Sequence, residues 1–263
     1  MAQQPPLTPE QLQKPALAGD AFLRDLAEQK RRKYAQIAPL YAAIGDGSLE
    51  RDYLDLWIKD SYTSWDNLYK AAGGIFVKIN VEELRSKVLV KMVNIEGKEL
   101  GRQWNGATTP AYEELWLRFA EGAGVPRAEV LGWKPFSRTH FALTTLALYS
   151  KGYEWTWLDG IASLYAGDLF LQESLSLAYE GLRTHYKVPE PALEVFRAVL
   201  ADVAFDLEWE AKELASLCCT IERQYTAGRA FRERLDIEHQ IATGPWLARE
   251  VDKGGTRVPT RVP

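Results

Sequence analysis

Between Phe196 and Leu217 the chain repeats apolar residues at helical spacing: Phe196, Val199, Leu200, Val203, Leu207, Leu214 and Leu217 fall in one stripe. Glu210 lies inside that stripe and Asp206 at its edge, one turn earlier. Burying an unpaired carboxylate costs several kcal/mol, so a core-facing pair requires a partner, a proton or a metal ion. Asp202, Asp206 and Glu210 also follow an i, i+4, i+8 series, which lines them along one side of the helix where like charges repel. Two readings stay open here. Either Lys212 and nearby arginines pair Asp206 and Glu210 while Asp202 and Glu213 are solvated, or these carboxylates belong to a site.

The rest of the chain reads as helix. A first helix is predicted over Asp20–Ile37, and a short piece over Pro39–Ile44 leads to a Gly-Asp-Gly turn. The next runs from near Ser48 toward Ala72, carries Leu54, Trp57, Ile58, Tyr62, Trp65 and Tyr69 around Asp66, and bends or ends at Gly73-Gly74. Asn80 with Glu83 forms a capping pair that opens a helix reaching about Gly101. Further helices are expected over Ala111–Gly122, Phe136–Ser150, from Trp155 through Asp168 to Tyr186, from Pro191 to about Thr220, and over Ile221–Ala242, with Gly124–Trp133 as a connection. No window alternates apolar and polar residues between hairpin turns. The expectation is an all-α bundle of seven to eight helices forming one domain over residues 18–250. A flexible arm at 1–17, rich in Pro and Gln, precedes it, and a disordered tail at 251–263, with TRVP twice, follows.

A formal net charge of −4 excludes the basic face that a nucleic-acid binder needs. No window reaches a membrane span, and the first residues lack a basic stretch followed by an apolar run, which predicts a protein without membrane contact. Cys218 and Cys219, the only cysteines, are adjacent and cannot form an ordinary disulfide, so a reducing cytoplasm is the expected address. Neither cysteine has a paired histidine nearby in sequence, and no phosphate-binding glycine loop or nucleophile elbow occurs. His140, His185 and His239 fall on different helices with no Glu-x-x-His pair among them. What remains for chemistry is the set of carboxylates on core helices: Asp66, Glu99, Asp168, Asp202, Asp206, Glu210 and Glu213.

Three stretches, taken in order, carry a family resemblance: YEELWLRFAEGAG at Tyr112–Gly124, YEGLRTHYK at Tyr179–Lys187 and DLEWEAKE at Asp206–Glu213. Over about residues 20–245 the chain resembles the haem-oxygenase-like superfamily in its TenA-type thiaminase and pyrroloquinoline-quinone synthase branch, which includes non-haem di-iron oxidases. The resemblance implies a haem-oxygenase-like bundle, a homodimer and a role in biosynthesis. In the di-iron members, the helix matching Met92–Gly101 supplies a Glu, here Glu99. A His ligand falls at Tyr112, a later Glu at Asp168, and an H-x-x-x-D-x-x-H motif at Asp202, Asp206 and Trp209. Only Asp206 keeps its residue type in that motif, and every expected histidine is replaced.

The resemblance therefore implies an oxidoreductase-like protein acting on a small organic metabolite in a cavity of the bundle. Its cofactor would be iron on an atypical set, Glu99, Asp168, Asp202 and Asp206, or none, as in the quinone-synthase branch. Asp206, Glu210 and Tyr112 are the expected catalytic residues, with Asp206 as general base or metal ligand. Trp57, Tyr62, Trp65, Trp209 and His140 are the expected substrate-binding residues. The alternative is a non-catalytic binding or partner protein that has lost the di-iron site; a thiaminase-like hydrolase ranks third.

Overall fold

A computed structural model describes residues 8, 10, 14–34, 38–97, 110–152 and 155–253. Ten α-helices and no strand occur among them: α1 Gly19–Tyr34, α2 Ala38–Gly45, α3 Arg51–Phe76, α4 Glu82–Glu96, α5 Tyr112–Gly122, α6 Arg127–Leu131, α7 Ser137–Lys151, α8 Trp157–Thr184, α9 Glu194–Leu217 and α10 Ile221–Lys253. This is the all-α bundle expected, with more helices than the seven to eight anticipated. The connection Gly124–Trp133 contains the five-residue α6.

Helix α8 is the axis of the bundle, because its sequence is apolar or small on nearly every face. From Leu158 to Asp168 each residue is buried, and α2, α9 and α10 all pack on it. Its start is fixed by Thr156, whose hydroxyl accepts the Asp159 N–H while the Asp159 carboxylate accepts the Thr156 N–H. Toward its end, Gly181 lets α2 approach so closely that a Cβ there would lie 1.9 Å from the Ile44 carbonyl oxygen.

Three boundary expectations are corrected. Gly73-Gly74 does not end α3, which continues to Phe76. The glycine pair instead admits α7, since a Cβ on Gly74 would stand 2.9 Å from the Ser150 carbonyl oxygen. The N-cap of α4 is Val81 rather than Asn80, and no side-chain hydrogen bond closes that end. Pro245 lies inside α10 rather than after it. The turns beyond it are held by tertiary contacts: Arg249 stacks 4.7 Å from the Trp246 ring centre and pairs with Glu50 at 2.6 Å. Of the expected arm, Leu17 is tied to Gln224 by two hydrogen bonds. Residues 254–263 of the expected tail lie outside the described residues. No helix among the described residues is long and apolar enough to cross a membrane.

Asp60, buried in α3, works as an external cap for α7. Its carboxylate accepts the Phe136 N–H at 2.8 Å, the Thr139 hydroxyl at 2.6 Å and the Trp133 indole N–H at 3.3 Å. Burial nonetheless outweighs these donors and pushes its pKa up from 3.8 to about 6.

Two predictions follow from this architecture. Replacing Gly181 by Ala forces a backbone apart, and urea unfolding should show a loss of at least about 2 kcal/mol. For Asp60, the raised native pKa means that its stabilising contribution is complete below 3.8 and lost as pH rises through about 6. Over that window the loss is on the order of 3 kcal/mol. Asp60→Asn, which keeps an acceptor and cannot ionise, should therefore gain thermal midpoint relative to the parent protein on going from pH 4 to pH 8.

Candidate functional site

Helices α4, α8 and α9 bring four ionisable groups to one buried point. Along α4 the inward positions are Leu84, Val88, Lys91 and Ile95, so a lysine takes the third place in an otherwise apolar stripe. Its ammonium group donates to Asp168 on α8 and to Asp206 Oδ2 on α9 at 2.8 Å, and stands 3.6 Å from Glu210 Oε1. Lys91 is 6% exposed, Asp168 4%, Asp206 2% and Glu210 0%, so water screens none of these charges to a useful degree. One turn earlier on α4, Lys87 pairs with Glu213 at 2.6 Å and lies 5.9 Å from the Trp209 ring centre. The two lysines thus meet successive acidic turns of α9.

The second oxygen of Asp206 accepts the Trp209 indole N–H at 2.9 Å. The Tyr112 hydroxyl, at the first turn of α5, donates to Asp202 Oδ2 at 2.7 Å. On the far side, Arg234 of α10 is held by Glu238 one turn later at 2.7 Å, and its charge reaches Asp168. Neither oxygen of Glu210 has a hydrogen-bond partner among the described residues. An unsatisfied buried polar group of this kind costs about 1–3 kcal/mol, so the fold gains nothing from keeping it.

Burial dominates the ionisation of this cluster. It pushes the Asp168 carboxyl up from 3.8 to about 6, against the attraction of Lys91. Glu210 is held well above the usual carboxylate range by burial and then by the charge of Asp168. Burial alone would lower Lys91, but Asp168, Glu210 and Asp206 together hold it above an ordinary lysine. Tyr112 is raised by burial and then by Asp202. These effects favour a charged Lys91 and a proton held on Glu210.

The sequence expectations divide at this point. Asp168, Asp206, Glu210 and Trp209 meet at the centre, and Asp202 with Tyr112 forms a hydrogen-bonded pair on the same two faces of α9 and α5. The partner of Asp206 and Glu210 is Lys91, not Lys212, which is exposed, and Glu213 is paired with Lys87 rather than solvated. His140 is exposed on α7 and does not line the interior, because it follows the buried Thr139 by one residue and so turns away from the core. Trp57 is core: it packs edge-on against Tyr41, Trp116 and Phe119. Trp65 packs against Tyr112 and Trp116 and also borders a small cavity, while Tyr62 is half-buried on the same helix. Glu99 lies outside the described residues, as does the side chain of Asp66.

Lys91 was not among the residues singled out from the sequence, although its place in the 84/88/91/95 stripe was a readable signal. Its position also decides how well a metal fits. Among the described residues no group of three or more His, Cys, Asp or Glu side chains has metal-binding geometry. The point between Asp168 and Asp206 where an ion would sit is taken by a covalently attached cation. Among the described residues the donors therefore do not fit a di-iron centre, since Asp168 and Asp206 face an amine. The cavity beside Trp65, lined also by Leu68, Leu146, Leu171, Arg234 and Glu238, measures about 40 Å³.

The bundle has counterparts among solved structures. A domain with a haem-oxygenase-like fold from Shewanella denitrificans matches with a TM-score of 0.69 at 15% identity, over 92% of this chain and 98% of that one. A CADD-like protein from Nostoc punctiforme matches at 0.69 and 13% identity, over 88% and 97%. A TenA homologue from P. horikoshii matches at 0.62 and 13% identity, over 84% and 98%. These likenesses define the class: an all-α protein with the haem-oxygenase-like fold. The family model described as TENA/THI-4/PQQC matches residues 25–202. The chain belongs to the TENA/THI-4/PQQC family. No curated protein sequence matches it.

The charge arrangement predicts an asymmetric response to substitution. Lys91→Met leaves buried carboxylates without their cation and should cost about 3–5 kcal/mol in chemical unfolding. Glu210→Gln exchanges one neutral group for another of the same shape and should stay within about 1 kcal/mol of the parent.

Proposed function

We propose that this chain is a metal-independent, oxidoreductase-like member of its family that performs acid–base chemistry on a small organic metabolite at the Lys91–Asp168–Asp206–Glu210 centre. The observation that carries this reading is Glu210, fully buried with neither oxygen hydrogen-bonded, 3.6 Å from the Lys91 ammonium. Such a group weakens the fold and suits a proton donor. Glu210 would give a proton to the reacting atom, and Asp168, with a pKa of about 6, would take one up. The fixed charge of Lys91 would stabilise an anion developing on the substrate in a site with little water. Tyr112, hydrogen-bonded to Asp202, and Trp65 would form the wall through which the substrate is held. The family reading also supports a homodimer, and the two free cysteines support a reducing cytoplasm.

The second reading, a non-catalytic binding or partner protein, is favoured by the cavity of about 40 Å³ beside Trp65, since ligand pockets usually span about 300–1,000 Å³. Under the catalytic reading α3, α7 and α10 must part to admit the substrate. A thiaminase-like hydrolase draws less support. Cys218, at the end of α9, has a thiol pushed up to about 12 by burial, far from the thiolate that such chemistry uses.

The test begins with quinols, amino acids and small organic acids, scored by quenching of tryptophan emission and by thermal shift. Binders are then followed for product and for dioxygen consumption. A compound should be turned over by the parent protein and about 10²–10⁴-fold more slowly by Glu210→Gln with its fold intact. If compounds bind but parent and variant are equally inert toward all of them, the catalytic reading fails and the binding reading stands.

A further inference from the structure

We propose that Lys91 is a built-in substitute for a bound metal ion: its ammonium group takes the cation position between Asp168, Asp206 and Glu210 and keeps divalent metals out of the bundle. The inference does not depend on whether the centre is catalytic, so its test is separate from the one above.

The geometry supports it in three ways. First, carboxylates from α8 and α9 converge on one point: the Lys91 nitrogen lies within 3.6 Å of oxygens from all three. A divalent ion binds oxygen at about 2.0–2.6 Å, so small side-chain shifts would close the shell around an ion at that point. Second, Glu210 is aimed at this point without any hydrogen bond to tie it elsewhere. Buried carboxylates that serve the fold alone are nearly always hydrogen-bonded, as Asp60 is three times over. Third, the Trp209 indole fixes the outer oxygen of Asp206, the kind of support that orients a ligating carboxylate. An all-oxygen set of this kind suits a hard cation such as Mn²⁺ or Mg²⁺.

An ammonium on a lysine stem supplies one positive charge without an equilibrium with free metal. It also fills the space, and its repulsion adds to the cost of admitting a second cation. Exclusion is therefore steric and electrostatic together. Removing the side chain to Cβ should remove both, whereas an uncharged side chain of similar length should remove only the charge.

The experiment compares the parent protein, Lys91→Ala, Lys91→Met and Lys91→Ala/Asp206→Asn after incubation with Mn²⁺ and exhaustive dialysis, with metal content and thermal midpoint as readouts. Lys91→Ala should retain about one Mn²⁺ per chain and gain several degrees in midpoint when Mn²⁺ is added, since an ion bound only by the native state stabilises it. The parent and Lys91→Met should retain none, and Asp206→Asn should abolish the gain. Should Lys91→Ala fail to fold alone, refolding with and without Mn²⁺ replaces dialysis, and recovery of helical circular dichroism only with Mn²⁺ supports the proposal. A parent protein that retains Mn²⁺ overturns it. So does a folded Lys91→Ala that takes up none, or one that Mn²⁺ cannot rescue.

Discussion

One ammonium group joins the three central helices of this bundle. Lys91 reaches from α4 to Asp168 on α8 and to Asp206 and Glu210 on α9, at a depth where solvent contributes little screening. Taken alone, each of these charges would be too costly to bury; together they fix the register of α4 against the other two. The lysine also sets the chemistry. It supplies the positive charge that the buried carboxylates face, while burial leaves Glu210 as the group that best carries a proton.

The surrounding structure is arranged to keep that centre closed. Trp57, Trp116, Phe119 and Phe196 interlock at centroid distances of 4.9–6.1 Å, joining α3, α5 and α9 into a rigid wall. Trp65 extends the wall to Tyr112, whose hydroxyl is held by Asp202. On the other side Arg234 and Glu238 neutralise each other between α8 and α10. Family membership and the bundle are shared with TenA homologues, and the interior of this bundle holds an amine among its carboxylates.

Much of this was legible along the chain. The apolar stripe of α9 appears with Phe196, Val199, Val203 and Leu214 buried, and the intruding carboxylates at 206 and 210 do face inward. Two of the three corrected helix boundaries share one cause. Gly73-Gly74 and Gly244-Pro245 are helix breakers by local preference, yet α7 packed on Gly74 and the Arg249–Glu50 pair beyond Pro245 keep both helices going. Side-chain type likewise gave no sign that His140 is exposed or that Trp57 lies in an aromatic cluster.

The sequence by itself determined that the chain is helical and that α9 carries carboxylates in its apolar stripe, because periodicity and residue identity are properties of single segments. It could not determine what offsets those carboxylates. Lys91 is separated from Asp206 by 115 positions, and a lysine in an apolar stripe reads equally well as a residue reaching out to water along the helix surface. Only the packing of α4 against α8 and α9 removes that escape and turns the side chain inward. The tertiary structure therefore decided that the cation at the centre of this bundle is part of the chain.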